Sequence, residues 1–330
     1  MSTVKKVLGL GNALVDIMTQ LEDESLLQDF DLPKGSMQLV DKSKSNQVIE
    51  GTKHLKTSLA AGGSAANAIN GLAKLGVDCG FIGKIGPDEM GKFFSDDMKS
   101  SGIQPLLIQS ETESGRAVAL VSPDSERTFA TYLGASVELS DVDLKPEDFF
   151  GYDYLHIEGY LVQNHALIEK ALKLAKDAGL QVSLDLASYN VVEDNLAFLQ
   201  DMCKKYVDIL FANEEEARAF TGEEDPEKAL EIMAETVDIA IVKVGKNGSY
   251  IKKDGIKYRI GIIPVVSRDT TGAGDLYASG FIYGLMNGLS LDKAGDMGAL
   301  LAANVIEVIG AKMDEKRWTK ILEDVNRILA

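Results

Sequence analysis

The sequence predicts an α/β fold in three layers, α/β/α, with a mostly parallel central sheet and a small β-sheet lid. Three observations lead there. Beyond residue 150, short apolar runs alternate with helix-like stretches, the order that crossover units impose on a parallel sheet. From residue 103 to residue 133 the apolar runs are separated only by polar turns, "SETESG" and "PDSE", which suits antiparallel hairpins. No repeat, low-complexity tract or long linker interrupts the chain, so residues 1–330 are read as one α/β domain whose lid comes from segments at about 13–20, 34–40 and 103–135.

"VKKVLGLGN" is apolar and closed by glycine, an opening strand. The stretch from Leu21 to about Ser58 is polar and mixed, with a turn at "DLPKGS". A helix begins near Ser64: Ala65, Ala68, Ile69 and Leu72 fall at i, i+3, i+4 and i+7, and Gly76 ends it. "DCGFIGKIG" follows as a strand and "PDEMGKFFSDDMKSSG" as a helix. "PLLIQ", "RAVALVS" and "RTFATYL" are the lid runs. Then "YDYLHIEG", "QVSLDLA", "VDILFAN" and "DIAIVKVG" alternate as strands with the helices of "NHALIEKALKLAKDAG", "NLAFLQDMCKKY" and "EEEARAFTG".

With 34 basic and 51 acidic residues the net charge is −17, which argues against a nucleic-acid or anionic-membrane surface. A phosphate ligand would have to be held by local amides and a few cations. Cys79 and Cys203 lack metal-site spacing and fit a reducing cytosol, and His54, His156 and His165 are scattered. "MSTVKKVLGLGNALVDI" lacks an apolar core with a cleavage site, and no run approaches the ~18 apolar residues of a membrane helix. A cytoplasmic protein with no nucleic-acid or membrane partner is expected.

The stretch "SRDTTGAGDLYASGF" carries the chemistry. Thr271 is placed as the N-cap of a helix whose apolar stripe is Ala278, Phe281, Ile282 and Leu285. Gly272, Ala273 and Gly274 then occupy the first turn, where amide N–H groups lack helical partners and the dipole favours an anion. Asp275 follows at once. A carboxylate beside an anion cradle is electrostatically unfavourable unless it takes part in the reaction.

"DTTGAGD" resembles the second signature of the ribokinase-like (PfkB) carbohydrate kinases, a family that contains adenosine kinase. "AAGGSAANAINGLAKLG" with "GKIGPDEMG" is similar to the first signature, "VDILFANEEEARAFTG" to the N-x-x-E segment and "VKVGKNGSY" to the nucleotide-side glycine strand. The likeness runs over nearly the whole chain. "GNALVDI", "AGGSAANAI" and "VDILFANEEEA" look most similar to adenosine kinases.

The resemblance implies an ATP-dependent kinase with Mg²⁺. It makes Asp275 the base, Gly272, Ala273 and Gly274 the anion hole, and Arg127 a lid arginine that swings to the phosphates. Asn12, Asp16, Gly62, Gly63, Ser64 and Asn67 would meet the acceptor, Asp16 taking vicinal hydroxyls. Ser64 also reads as a helix cap, and Tyr132 and Leu133 would cover the ligand. Asn213, Lys243, Gly245, Gly248 and Thr271 fall to the nucleotide, Lys243 standing where many members carry threonine. Asn213 and Glu216 would organise Mg²⁺ through water. Asp269, with the Thr271 backbone, matches a monovalent-cation (K⁺) position, although Asp314 stands where serine is common in its second half.

The expected reaction is phosphoryl transfer to a primary hydroxyl of an adenosine-like nucleoside, with a free sugar (ribose, fructose or a keto-deoxy sugar acid) as the alternative acceptor. A silent sugar or nucleoside sensor is the rival from another class, which the intact "GAGD" disfavours. Monomer and homodimer are both compatible with the sequence.

Overall fold

The structure is a computed structural model that describes residues 5–124 and 126–329. Its strands are β1 (Lys6–Leu10), β2 (Leu14–Gln20), β3 (Met37–Leu39), β4 (Thr57–Gly62), β5 (Asp78–Ile85), β6 (Ile103–Gln109) and β7 (Gly115–Val121). They continue as β8 (Arg127–Tyr132), β9 (Tyr154–Glu158), β10 (Gln181–Asp185), β11 (Ile209–Asn213), β12 (Ile239–Lys243), β13 (Ser249–Lys253) and β14 (Ile256–Ile260).

A nine-stranded sheet has the order β14-β13-β12-β11-β10-β9-β1-β5-β6, and a five-stranded sheet the order β3-β8-β7-β2-β4. In the large sheet every pairing from β12 through to β6 is parallel, and β13 pairs antiparallel with both β12 and β14. These strands read as continuous apolar runs because both faces are covered. Successive residues feed opposite cores. Val7, Phe81, Ile209 and Phe211 pack with the helices Ser64–Lys74, Glu89–Ser100 and Ala273–Met286. Leu8, Ile82, Leu210 and Ala212 pack with His165–Asp177, Tyr189–Tyr206 and Pro226–Met233.

The strand order reverses at β1, which lies between β9 and β5. In such sheets the crevice beyond the carboxyl ends of the strands at a reversal is where ligands bind.

Most elements fall where the sequence places them, with two differences around the lid. Residues 103–109 form β6 at the edge of the large sheet, parallel to β5, rather than a lid hairpin. The helix Glu89–Ser100 carries the chain from β5 back to a parallel neighbour, a topological fact that strand texture does not encode. In its place β4, between the end of the segment read as mixed and the helix at Ser64, pairs antiparallel with β2. The same segment also contains the helix Lys42–Thr52, capped by Asp41, which buries Val48.

Candidate active site

Four adjacent parallel strands each end on a polar side chain. β9 closes on Glu158, β10 on Asp185, β11 on Asn213 and β12 on Lys243. In register, Asp185 stands beside Glu158, and Asn213 beside Lys243. Above these ends lies a cavity of about 1050 Å³, room for a nucleotide and an acceptor together, with Asp16, Ser64, Asn67 and Asp275 in its lining.

Asp275 enters it from the first turn of the helix Ala273–Met286. Its Oδ1 accepts from Ser64 Oγ at 2.7 Å and its Oδ2 from Asn67 Nδ2 at 3.0 Å. Asp275 forms no ion pair among the described residues. Burial raises its pKa from 3.8 to about 6, the two hydrogen bonds opposing the rise. Asn67 Oδ1 is buried without a hydrogen-bond partner among the described residues.

The helix N-cap is Gly272 in the left-handed region, φ +75°, rather than Thr271. A tight turn of "TTGAG" needs positive φ at that position, which threonine tolerates poorly. Ala273 N–H donates to the Thr270 carbonyl at 3.2 Å, so of the predicted anion hole the Gly272 and Gly274 amides remain open among the described residues.

Ser64 is likewise not a cap. Gly63, at φ +100°, takes that place, and a Cβ on it would strike the Asn12 carbonyl. Ser64 Oγ is thereby released to Asp275. Asp16, on β2, faces the cavity, and its carboxylate rests against Gly62, where a Cβ would overlap it. Burial lifts the Asp16 pKa to about 7, with the Arg127 charge opposing.

Asn12 is buried behind this wall, its N–H and Nδ2 both donating to Glu158 Oε1 at 2.9 and 2.5 Å. Glu158 Oε2 accepts from Ala65 N at 2.9 Å, which fixes the start of the helix that carries Ser64 and Asn67. Burial pushes Glu158 up to about 7 against those hydrogen bonds. A Cβ on Gly11 would sit 2.6 Å from Glu158 Oε2, so glycine there leaves room for the carboxylate. Sequence reasoning missed both Glu158 and Asp185. The available signal was a lone acidic residue ending each of the apolar runs "YLHIE" and "QVSLD".

Asn213 and Glu216 form a reciprocal cap on the helix Glu214–Thr221. Glu216 Oε2 accepts from Asn213 N at 2.8 Å, and Asn213 Oδ1 accepts from Glu216 N at 2.9 Å. The N-x-x-E pattern is therefore a capping box as well as part of the cavity wall. Burial and the Asp185 charge raise Glu216 to about 7. Lys243, Gly245, Gly248 and Thr271 also line the cavity. Gly248 adopts φ +93° at the turn into β13, with its α-carbon against the Ile260 carbonyl.

Arg127 lies on β8 but is buried, ion-paired with Asp269 and donating to Thr271 Oγ1 at 3.0 Å. It ties the small sheet to the loop before the helix instead of reaching into the cavity. Asp269 also accepts from Thr271 N at 3.0 Å and from Gly310 N at 2.7 Å. Tyr132 stacks against the Arg116 guanidinium, 5.0 Å from ring centroid to carbon, and neither residue lines the cavity.

The family model for pfkB family carbohydrate kinases matches residues 36–317. This chain belongs to that family. The carbohydrate kinase is similar to 5-dehydro-2-deoxygluconokinase of Clostridium perfringens, 33% identical over 264 residues, 74% of this chain and 78% of that protein. Among solved structures it resembles a probable sugar kinase of Rhizobium etli, 31% identical with TM-score 0.87, covering 99% of this chain and 100% of that one. It also resembles the adenosine kinase of Sinorhizobium meliloti, 31% identical with TM-score 0.86, covering 98% and 100%. The ribokinase-like fold, a large mostly parallel sheet with a smaller one, and kinase activity are thus this chain's own. Kinases of this family generally use ATP and Mg²⁺. Among the described residues no helix is long and apolar enough to cross a membrane.

Proposed function

We propose that this kinase transfers the γ-phosphoryl group of ATP to the primary hydroxyl of a nucleoside, adenosine-like in shape, with Asp275 as the base. One observation carries the reading: a desolvated carboxylate, held by Ser64 and Asn67, meets an open amide turn on one side and a polyol-binding aspartate, Asp16, across the cavity. Asp275 takes the hydroxyl proton as the new bond forms, and its raised pKa suits it to that task. Gly272 and Gly274 N–H groups meet the phosphoryl oxygens. Asp16 accepts from the vicinal hydroxyls.

Asn213 and Glu216 suit an Mg²⁺ that keeps its water shell, since one carboxylate and one amide offer outer-sphere contacts without a cage of ligands. When bound, the ion neutralises phosphate charge. A monovalent cation does not fit at Asp269, whose carboxylate already meets the Arg127 guanidinium and two backbone N–H groups.

A neutral acceptor with a ring is favoured over a sugar acid. Cross-strand pairing places Ala117, Thr131 and Leu39 on the Asp16 face of the small sheet, and Phe129 and half-exposed Met37 two residues along that face. Phe129 lines the cavity. Among the described residues the only basic ones in the cavity lining are Lys243 and Lys246, at the β12–β13 end. Arg116 is buried and engaged with Ser45, Asn46 and Glu113, away from the cavity. A coupled ADP-release screen with Mg·ATP over nucleosides, free sugars and keto-deoxy sugar acids tests this. Turnover of adenosine without ribose is expected. Preference for a sugar acid overturns the acceptor assignment, and silence across all panels overturns the kinase mechanism for this chain.

A further inference from the structure

The nucleotide end of the cavity is acidic. Asp185, Glu214, Glu215, Glu216 and Asp275 line it against Lys243 and the exposed Lys246. A triphosphate brought there meets repulsion that Mg²⁺ offsets only in part, so the position of each fixed cation matters.

Lys243 is fixed with unusual care. Its Nζ donates to Asp185 Oδ2 at 2.8 Å, and Asp185 is only 4% exposed. The other carboxylate oxygen accepts from Ala187 N at 3.1 Å, and Ala187 holds φ +63°, a strained conformation for a residue with a Cβ. The same Nζ lies 2.9 Å from the point where a Cβ on Gly274 would stand. The ammonium therefore abuts the open amide turn, and glycine at 274 leaves space for it. Burial disfavours the charge, but Asp185 and Glu216 outweigh this and raise the lysine pKa. A buried pair adds little to stability compared with apolar packing, so its upkeep at a cavity wall points to function.

We infer that Lys243 is a catalytic residue, the cation that meets the migrating phosphoryl group at the Gly272–Gly274 turn, and that Asp185 is the positioning residue that aims it. The inference rests on the kinase reading above. In the step, the bond from acceptor oxygen to phosphorus forms while the bond from phosphorus to the bridging oxygen breaks. The electron pair leaves on ADP and the hydroxyl proton goes to Asp275. Lys243 forms no covalent bond; it donates hydrogen bonds to phosphoryl oxygens as their charge shifts. Asp185 keeps its hydrogen bond to Lys243 and touches neither reactant.

The test uses the full chain with Mg·ATP and whichever nucleoside or sugar the wild type phosphorylates, comparing Lys243→Met, Lys243→Arg and Asp185→Asn. Lys243→Met is expected to lower kcat by about 100-fold or more, the scale of losing one oxyanion donor, with acceptor KM within about threefold. Lys243→Arg should recover roughly tenfold of that loss, and Asp185→Asn should lower kcat by about tenfold at unchanged acceptor KM. Thermal midpoints are recorded for each variant, and Lys243→Arg with Asp185→Asn decide the matter if Lys243→Met does not fold. A kcat for Lys243→Met near that of the wild type overturns the inference. So does a loss expressed wholly as a raised KM for ATP, or one that follows the thermal midpoint without rescue by arginine. A wild type inactive on every acceptor removes the kinase reading itself, whereas an active wild type with an indifferent Lys243 removes only this inference.

Discussion

Replacing Asp275 with asparagine should abolish turnover and stabilise the protein at the same time. Removing the base is expected to cost about 10³-fold or more in kcat with little change in acceptor binding, because the hydroxyl then has no proton acceptor in reach. The stability effect follows from burial. The folded-state pKa is raised from 3.8 to about 6, so the native protein holds this proton more tightly than the unfolded chain does. Such a group destabilises the fold when ionised: its penalty is absent below the unfolded pKa, grows as pH climbs through about 6, and is complete by pH 8. The displacement corresponds to at most about 3 kcal/mol, and partial exposure of Asp275 reduces this to about 1–2 kcal/mol. Asparagine removes the charge and keeps the hydrogen bonds. Its Oδ1 can accept from Ser64, and Asn67, whose Oδ1 is unpartnered, can turn its amide to accept from the new Nδ2. A rise of about 2–4 °C in the unfolding midpoint at pH 8, falling to about half of that at pH 5, is expected. Differential scanning calorimetry at the two pH values, beside a coupled kinase assay, reads both effects. Turnover within tenfold of the wild type, or a midpoint lowered equally at both pH values, refutes the argument.

Gly62→Ala places a Cβ on the Asp16 carboxylate and should raise acceptor KM by about tenfold, one lost bidentate contact, with a smaller fall in kcat; unchanged KM would detach Asp16 from the acceptor. Glu158→Gln exchanges an acceptor for a donor opposite either the Ala65 amide or Asn12. A loss of about 1–3 kcal/mol in urea unfolding together with a raised acceptor KM is expected, and a stable variant with normal KM would deny it the positioning role. The acid limb of kcat/KM should fall between pH 6 and 7, where Asp275, at about 6, and Asp16, at about 7, take up protons; a limb below pH 5 would contradict the desolvated site.

The chain's own order of residues already specified the central sheet, because an apolar run followed by an amphipathic stretch is a local property and crossover sterics do the rest. It also specified the glycine-opened turn ahead of Asp275, since backbone freedom, amide exposure and the neighbouring carboxylate are all encoded within a few positions. The N-x-x-E pattern of Asn213 and Glu216 was visible in the sequence, but its role as a capping box came from the structure. Only the tertiary structure decided which strands pair at the edges: residues 103–109 joined the large sheet and residues 57–62 the small one. It alone brought Glu158 to Asn12, Asp185 to Lys243 and Arg127 to Asp269, partners separated by 146, 58 and 142 positions. Hydrophobic periodicity reports the face a residue presents within a few turns of chain. The partner of a buried charge is set by which strand ends converge, and that emerges only when distant segments pack together.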